Sequence, residues 1–301
     1  MTFWTQPKPG NAPILWGELS FDNCPQPAFA FLTVFCIATG LYLRVLIKLV
    51  SDWWSDANYS HAFVIPLFAG FVLWESRKKL ARIPLRPSWW GLVISVLALV
   101  LLVLGVLGAE LFLARISLLI LLAGVIVLFF GLECFRAVLF PWASLILAIP
   151  IPAIVFNQIT LPLQLFASEF ATYLLSMCGV PVLRDGNILH LPSTTLEVVA
   201  ACSGGRSLVS LISLATFYGY VRRRTLRRRL ALVALSIPIA VGTNSLRVMG
   251  TGLLAEYWNA DKAQGFFHTF AGLVVFSSSM LLLILSDLIA RRMGKSSPQQ
   301  I

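Results

Sequence analysis

Long apolar runs recur along the whole chain, and they constrain its fold more than any other feature. Each run has about 20 residues, the length that an α-helix needs to cross a hydrocarbon core roughly 30 Å thick. Only helices satisfy their own backbone polar groups in such runs, because lipid offers no hydrogen-bonding partner. The sequence therefore predicts an all-α, polytopic integral membrane protein. The predicted spans are 28–50, 59–76, 89–108, 111–131, 137–156, 200–220, 230–253 and 268–290.

The overall composition favours the same class. Of the 301 residues, 58% are hydrophobic and 12% are charged, whereas soluble domains usually have roughly 25% charged residues. The net charge of +10 does not indicate a nucleic-acid partner. Its cations lie in short stretches between apolar runs, and no soluble basic domain is present to bind a nucleic acid. We therefore expect the chain to contact the lipid bilayer and no nucleic acid.

The cysteines do not indicate a metal site or a disulfide framework. The five positions are 24, 36, 134, 178 and 202, with no CxxC pair and no spacing typical of metal ligands. A metalloprotease is excluded because the chain has no HExxH motif. No metal and no cofactor are predicted, and the first four cysteines are interpreted as packing residues.

Basic stretches between the runs predict the orientation of the chain. The loops at 77–79 and 222–229 and the tail at 291–295 are rich in Arg and Lys, which marks cytoplasmic segments in membrane proteins. An even number of crossings must then separate the first two loops. The four runs between 89 and 220 satisfy this requirement only if the helical segment 158–178 does not cross.

The composition of 158–178 supports that interpretation. Polar residues interrupt it, as expected for an interfacial or re-entrant helix, and Pro150, Pro152 and Pro162 favour a chain that turns there. We therefore predict eight transmembrane helices plus one interfacial or re-entrant helix. The predicted organisation is a cytoplasmic tail at 1–27, a single transmembrane domain at 28–290 and a basic cytoplasmic tail at 291–301. The first tail is predicted to be irregular, and it lacks the basic start of a signal peptide.

Arg44 and Lys48 lie at the predicted outer end of the first span. We interpret them as side chains that reach to the interface with their charged ends. Asp52 follows Lys48 by four residues, a spacing that permits an ion pair if the helix continues.

Four polar clusters fall on the outer side in this topology. Polar and ionisable residues at or within a bilayer are costly, so their default interpretation is functional. The clusters are 52–61, 201–207, 244–247 and His268.

Cys202 is the best candidate nucleophile in these clusters. It lies in the first turn of a predicted apolar helix, whose positive dipole end favours the thiolate, as does a neighbouring arginine. Arg206 follows four residues later, on the same helical face. Gly204 and Gly205 leave space beside the sulfur for an extended peptide.

Arg247 and His268 have chemical properties that complement a thiol nucleophile. Arg247 could hold a carboxylate or stabilise an oxyanion, although it could also reach to the interface or pair with Glu256. His268 can remove and return a proton near neutral pH, although an interfacial anchor is the alternative, as it is for His61. Together they supply the elements of acyl transfer. The predicted supporting residues are Tyr59, His61, Ser203, Arg206 and Asn244.

The chain resembles the exosortase/archaeosortase family in several ordered motifs that cover roughly residues 50–270. The central ones are Ala201-Cys202-Ser203-Gly204-Gly205-Arg206-Ser207, then Asn244-Ser245-Leu246-Arg247, then His268. Further similar stretches are Asn58-Tyr59-Ser60-His61, Ile149-Pro150-Ile151-Pro152 and the loop 179–188. One departure is Gly205, where the family more often has a bulkier aliphatic residue, and this leaves the subfamily open.

The resemblance implies a multipass cysteine protease or transpeptidase of the bacterial inner or archaeal membrane, with its active site at the outer face. The family's catalytic Cys, Arg and His correspond to Cys202, Arg247 and His268. The implied partners are exported proteins with a C-terminal sorting signal, which combines a Pro-Glu-Pro-type motif, a membrane helix and a basic tail.

Two other functions fit the same outward residues. A transporter or carrier for a lipid-linked sugar in exopolysaccharide assembly would use Arg206, Arg247 and His268 to bind an anionic headgroup, and Cys202 would be dispensable. A non-catalytic scaffold for an export or assembly complex would leave the shared placement of Cys202, Arg247 and His268 without a reason.

Overall fold

The structure is a computed structural model that describes residues 25–198, 205–222, 225–258 and 266–295. Side chains are described within 33–56, 58–198, 207–222, 225–258 and 272–292. The chain divides into two compact units, Met1–Pro150 and Ile151–Ile301. Apart from a small sheet in the second unit, both are built from helices, which confirms the predicted all-α membrane fold.

The first unit contains five α-helices and two short 3-10 helices in its described part. The α-helices are α1 (Pro25–Ser55), α2 (Val64–Leu80), α3 (Trp90–Leu107), α4 (Leu111–Phe130) and α5 (Leu132–Ser144). One 3-10 helix (Ala57–Phe63) connects α1 to α2, and the other (Leu145–Ala148) follows α5.

Helices α3 and α4 pack with their backbones in close approach. A Cβ atom added at Gly91 would lie 2.2 Å from the backbone nitrogen of Leu128, and one added at Gly124 would lie 2.5 Å from Ser95 Oγ. Small residues at such an interface let two membrane helices gain dispersion energy from close contact, because lipid supplies no hydrophobic driving force between them. The opposite face of α3 is rich in exposed leucine and valine, as expected for contact with lipid.

A buried arginine determines how α1 meets α4. The Arg115 side chain is 3% exposed, although it lies in the strongly apolar helix α4, and its guanidinium donates to the carboxylate of Asp52. Lys48 Nζ lies 2.9 Å from the other oxygen of the same carboxylate, which confirms the ion pair predicted from the spacing. Nearby, Tyr42 Oη and Ser117 Oγ are 2.9 Å apart and share a hydrogen bond.

The second unit contains four α-helices and a three-stranded antiparallel sheet in its described part. The helices are α6 (Ala153–Met177), α7 (Gly205–Val221), α8 (Leu226–Tyr257) and α9 (Phe266–Lys295). The strands are β1 (Leu183–Asp185), β2 (Ile188–His190) and β3 (Thr195–Glu197), in the spatial order β1-β2-β3. The sheet occupies the segment that the sequence had indicated only as a loop.

Helix α8 lies at the centre of this unit. One apolar cluster, which includes Leu211, Ala240 and Leu283, joins α7, α8 and α9. A second cluster, which includes Leu175, Leu189 and Val248, joins α6, the sheet and the second half of α8. In the described part of the second unit, α6, α7, α9 and the buried residues of β2 and β3 therefore pack on one helix.

The predicted number of eight spans is not confirmed. Five helices in the described part of the chain are long and apolar enough to cross a membrane, and a sixth span arises if one bent pair counts as one. The five are Thr33–Ser55, Trp90–Leu107, Leu111–Phe130, Leu226–Tyr257 and Gly272–Arg292. Helices α2 and α7 have 17 residues each and α5 has 13, which is short for a crossing of about 20 residues.

The chain leaves the helical conformation near Pro150 and Pro152, as these prolines predict. The helical stretch that contains α5 ends at Ala148, Ile149 has an extended backbone, and α6 begins at Ala153. In α6, Thr160, Gln164 and Ser168 are buried within the second unit, so packing accounts for part of the polarity that predicted an interfacial helix.

We expect Asp52→Ala to destabilise the protein by about 3–5 kcal/mol, because it leaves the buried Arg115 guanidinium without its carboxylate. Lys48→Ala is the matched control, since it removes the exposed partner of the same carboxylate, and we expect a cost below about 1 kcal/mol. Thermal unfolding of the two purified variants in detergent measures both effects. Equal stability of the two variants would contradict a structural role for the buried pair.

Candidate functional site

The helices α7, α8 and α9 alternate in direction, and this brings three predicted site segments to one end. The last turn of α7 lies against the first turn of α8, where the Arg229 guanidinium stacks 5.0 Å from the ring centre of Tyr220. Thr243 Oγ1 and Ser279 Oγ, 2.7 Å apart, join α8 to α9. The start of α7, the second half of α8 and the start of α9 therefore lie at the same end, here called the site end.

Arg247 lies on α8 at the site end, beside α9. A Cβ atom added at Gly272 would lie 3.8 Å from Arg247 Nη1, an ordinary contact distance, so the guanidinium lies beside this residue of α9. Gly272 follows His268 by four residues, which is one turn of α9. Positions 247 and 268 therefore lie on neighbouring helices, about one helical turn apart in level.

A cavity of about 320 Å³ lies between α8 and α9 and includes Arg247 in its lining. The other lining residues are small or apolar, among them Gly250, Thr251, Val274 and Ser278. A permanent positive charge in such a cavity favours a ligand that offers an anionic or strongly polarised oxygen, because guanidinium always carries its charge and several donors.

A layer of small polar side chains supports the middle of α8 just before Arg247. Thr243, Asn244 and Ser245 are all buried, with Asn244 fully inaccessible. Ser245 Oγ donates to the carbonyl of Val241 at 2.9 Å, so its hydroxyl is satisfied within the helix. Of the predicted supporting residues, Asn244 lies on the same helix as Arg247, three residues before it.

Several predicted site residues lie outside the described parts of the structure. Cys202 and Ser203 belong to the segment 199–204, which is outside the described residues. Arg206 is the second residue of α7 and His268 is in the first turn of α9, and the side chains of both are outside the description. Their roles therefore stay predictions from the sequence.

The chain that leads towards Cys202 is attached to the same helix as Arg247. Leu189, Leu196 and Val198 of the sheet region belong to one apolar cluster with Val248 of α8. The backbone nitrogen of Val198, the last described residue before 199, donates to the carbonyl of Asn187 at 2.8 Å. This attachment fixes the position of Val198 relative to Arg247.

Glu256 adds a polar anchor between the sheet and α8. Its Oε2 accepts hydrogen bonds from Ser193 Oγ at 2.6 Å and from the Ser193 backbone nitrogen at 3.2 Å. Ser193 lies in the turn between β2 and β3. The sequence had offered Glu256 as an alternative partner of Arg247, and these two bonds instead tie it to the sheet.

Tyr59 and His61 belong to the first unit, in the 3-10 helix before α2. Their rings are 6.4 Å apart, Tyr59 is buried and His61 is partly buried. Burial lowers the pKa of His61, while the nearby backbone carbonyls of Asn58 and Leu147 act in the opposite direction with smaller effect. This favours a neutral imidazole near pH 7.

No group of three or more His, Cys, Asp or Glu side chains in the described residues could hold a metal ion.

A family model described as Transmembrane exosortase (Exosortase_EpsH) matches residues 53–285 of the chain. The matched range covers well over half of the sequence and includes Cys202, Arg247 and His268. No curated protein and no solved protein structure is significantly similar to the chain. The family predicted from the sequence motifs is thereby confirmed.

We expect Glu256→Ala to release the turn between β2 and β3, because the Ser193 donors lose their acceptor. Hydrogen exchange of the Ser193 and Thr194 amides should then accelerate about tenfold, as for a loss of roughly 1.4 kcal/mol of local stability. Glu256→Gln keeps an acceptor oxygen and is the matched control, with exchange close to that of the wild type. Unchanged exchange in Glu256→Ala would show that the apolar cluster alone holds the sheet.

Proposed function

The chain belongs to the transmembrane exosortase family, and on this basis we propose that it is a cysteine protease or transpeptidase that cleaves the C-terminal sorting signal of exported proteins. Exosortases are transmembrane enzymes that process sorting signals. The observation that carries the proposal is the match over residues 53–285, which contain all three predicted catalytic residues. The proposed substrates end in a Pro-Glu-Pro-type motif, a membrane helix and a basic tail.

In the proposed reaction, the Cys202 thiolate attacks the scissile carbonyl carbon. A tetrahedral oxyanion forms and collapses to a thioester as the carbon–nitrogen bond breaks. Cys202 is three residues from Gly205, so their Cα atoms are at most about 11 Å apart. The covalent chain therefore keeps the nucleophile near the start of α7, at the site end.

Arg247 is proposed to stabilise the oxyanion. Its guanidinium lies beside Gly272 and contributes to the cavity between α8 and α9. Donors that are already in place where negative charge develops lower the barrier without reorganisation. Asn244, buried on the same helix, is proposed to hold the backbone of α8 in the position that this role requires.

His268 is proposed to protonate the leaving amine. Its place in the first turn of α9, one turn before Gly272, supports this role because Arg247 lies beside that glycine. The acyl group of the thioester then passes to an acceptor amine, which gives transpeptidation, or to water, which gives hydrolysis. In either case His268 can take up the proton of the attacking group.

The remaining predicted residues receive supporting roles in this proposal. Arg206, at the start of α7, favours the Cys202 thiolate, and Ser203 borders the nucleophile. Tyr59 and His61 are proposed to contact the substrate. The basic residues in the last turn of α2 and between α7 and α8 mark the cytoplasmic side. They support an active site at the opposite, outer face of the inner (plasma) membrane.

We expect Cys202→Ala to abolish processing, because the thioester cannot form without the thiol. A tagged exported protein that ends in the proposed signal, co-expressed with each variant, reports cleavage on a gel. Cys178→Ala is the matched control, since Cys178 is a free, exposed cysteine at the end of α6, and it should process normally. Full processing by Cys202→Ala would refute the covalent mechanism.

Arg247→Ala should lower the cleavage rate by about 10²–10³-fold, the usual effect of losing one oxyanion donor. Arg247→Lys should recover only part of the rate, because an ammonium lacks the planar set of donors. Arg227→Ala, at the opposite end of the same helix, is the control and should leave the rate unchanged. A normal rate with Arg247→Ala would assign oxyanion stabilisation to other groups.

A further inference from the structure

The hydrogen-bond register of the sheet shows which backbone groups of β3 point away from it. Val198 donates to the Asn187 carbonyl and Leu191 donates to the Thr194 carbonyl, both at 2.8 Å. Hydrogen-bonded and non-hydrogen-bonded pairs alternate in an antiparallel ladder, so Leu189 and Leu196 form the bonded pair between them.

The alternation leaves Thr195 and Glu197 in the non-hydrogen-bonded positions opposite His190 and Ile188. Residues in these positions turn their N–H and C=O groups away from the neighbouring strand. Thr195 and Glu197 therefore present two donors and two acceptors along the outer edge of β3.

This edge is accessible, and its position is well defined. Thr195 and Glu197 are exposed, whereas Leu196 and Val198 are buried in the apolar cluster with Val248. Within the described part of the chain, β3 has β2 as its single neighbouring strand. The apolar cluster and the Glu256–Ser193 hydrogen bonds hold the strand on α8. The edge is therefore a rigid row of backbone groups that can accept another strand.

The edge of β3 also leads directly to the proposed nucleophile. Glu197 precedes Cys202 by five residues, so their Cα atoms are at most about 18 Å apart. The opposite edge of the sheet, on β1, has no such continuity. There the outward position is Arg184, whose guanidinium pairs with Glu169 of α6 at 3.8 Å.

We propose that the outer edge of β3 binds the substrate as an added strand, in the extended segment that precedes the substrate's membrane helix. This inference rests on the proposed function. A carbonyl within a helix is hydrogen-bonded and shielded, so a nucleophile reaches the scissile carbon only when the peptide is extended. Strand addition imposes that conformation and draws its affinity from main-chain hydrogen bonds, of which Thr195 and Glu197 can make up to four.

The test removes one outward N–H group and leaves the sheet intact. Thr195→Pro deletes the outward donor, and because this donor does not face β2, the β2–β3 ladder is kept. We expect the rate of reporter processing to fall about three- to tenfold, the effect of one backbone hydrogen bond. The reporter is the tagged exported protein used above, with the full-length enzyme in native membranes.

Two control variants isolate the outward donor. Thr195→Val keeps the N–H group and removes only the hydroxyl, which lies 3.2 Å from His190 Nδ1, and it should process normally. Arg184→Pro makes the equivalent change on the opposite edge and should also process normally. Thermal unfolding and the alkylation rate of Cys202 verify that each variant is folded.

Failure of the inference and failure of the proposed function give different results. If the wild type processes the reporter and folded Thr195→Pro does so at the same rate, strand addition at β3 is overturned and the protease stands. If the wild type leaves the reporter intact, the proposed function itself fails.

A crosslinking measurement decides the matter if Thr195→Pro does not fold. Glu197→Cys is combined with Cys202→Ala, which keeps the reporter uncleaved, and single cysteines are scanned through the extended segment of the reporter. Disulfides at every second position support an added strand, because side chains alternate between the two faces of a strand. The absence of disulfides, or equal yields at consecutive positions, would overturn it.

Discussion

The packing of α8 against α6, α7, α9 and the sheet determines the position of the site residues that are described in the second unit. Arg247 and Asn244 are on α8 itself, Gly272 borders Arg247 from α9, and the sheet is held on the second half of α8. The contacts are mostly apolar, and a few hydrogen bonds, such as the one between Thr243 and Ser279, set the register. A helix with so many neighbours has little freedom to shift, and close-packed interiors transmit displacement rather than absorb it.

Local patterns in the sequence were enough to predict features that depend on neighbouring residues. The ion pair between Lys48 and Asp52 follows from a four-residue spacing, and the interruption of the helix after Ala148 follows from Pro150 and Pro152. The membrane class follows from the length of the apolar runs. In contrast, the number of spans is not confirmed, because α2 and α7 have 17 described residues each, fewer than a membrane crossing usually needs.

Features that join distant parts of the chain could not be predicted in the same way. Asp52 and Arg115 are 63 residues apart. The sequence shows only a single arginine inside an apolar run, and such an arginine requires a partner whose identity the run does not indicate. The sheet was missed because its strands have three residues each, too short to show a period of two. For the site, the ordered motifs identified the residues, but the contact of Arg247 with α9 at Gly272 depends on the register of two helices.

The length of α8 has a consequence for the membrane that surrounds it. Its 32 residues make a helix about 48 Å long, whereas a typical hydrocarbon core is about 30 Å thick. The difference is taken up by tilting or by ends that extend into the headgroup layers. Arg247 is about 15 Å from the last residue of α8, close to where the hydrocarbon gives way to headgroups. Bilayer thickness therefore sets how deep this guanidinium lies, so the lipid composition of the host membrane is part of the geometry of the site.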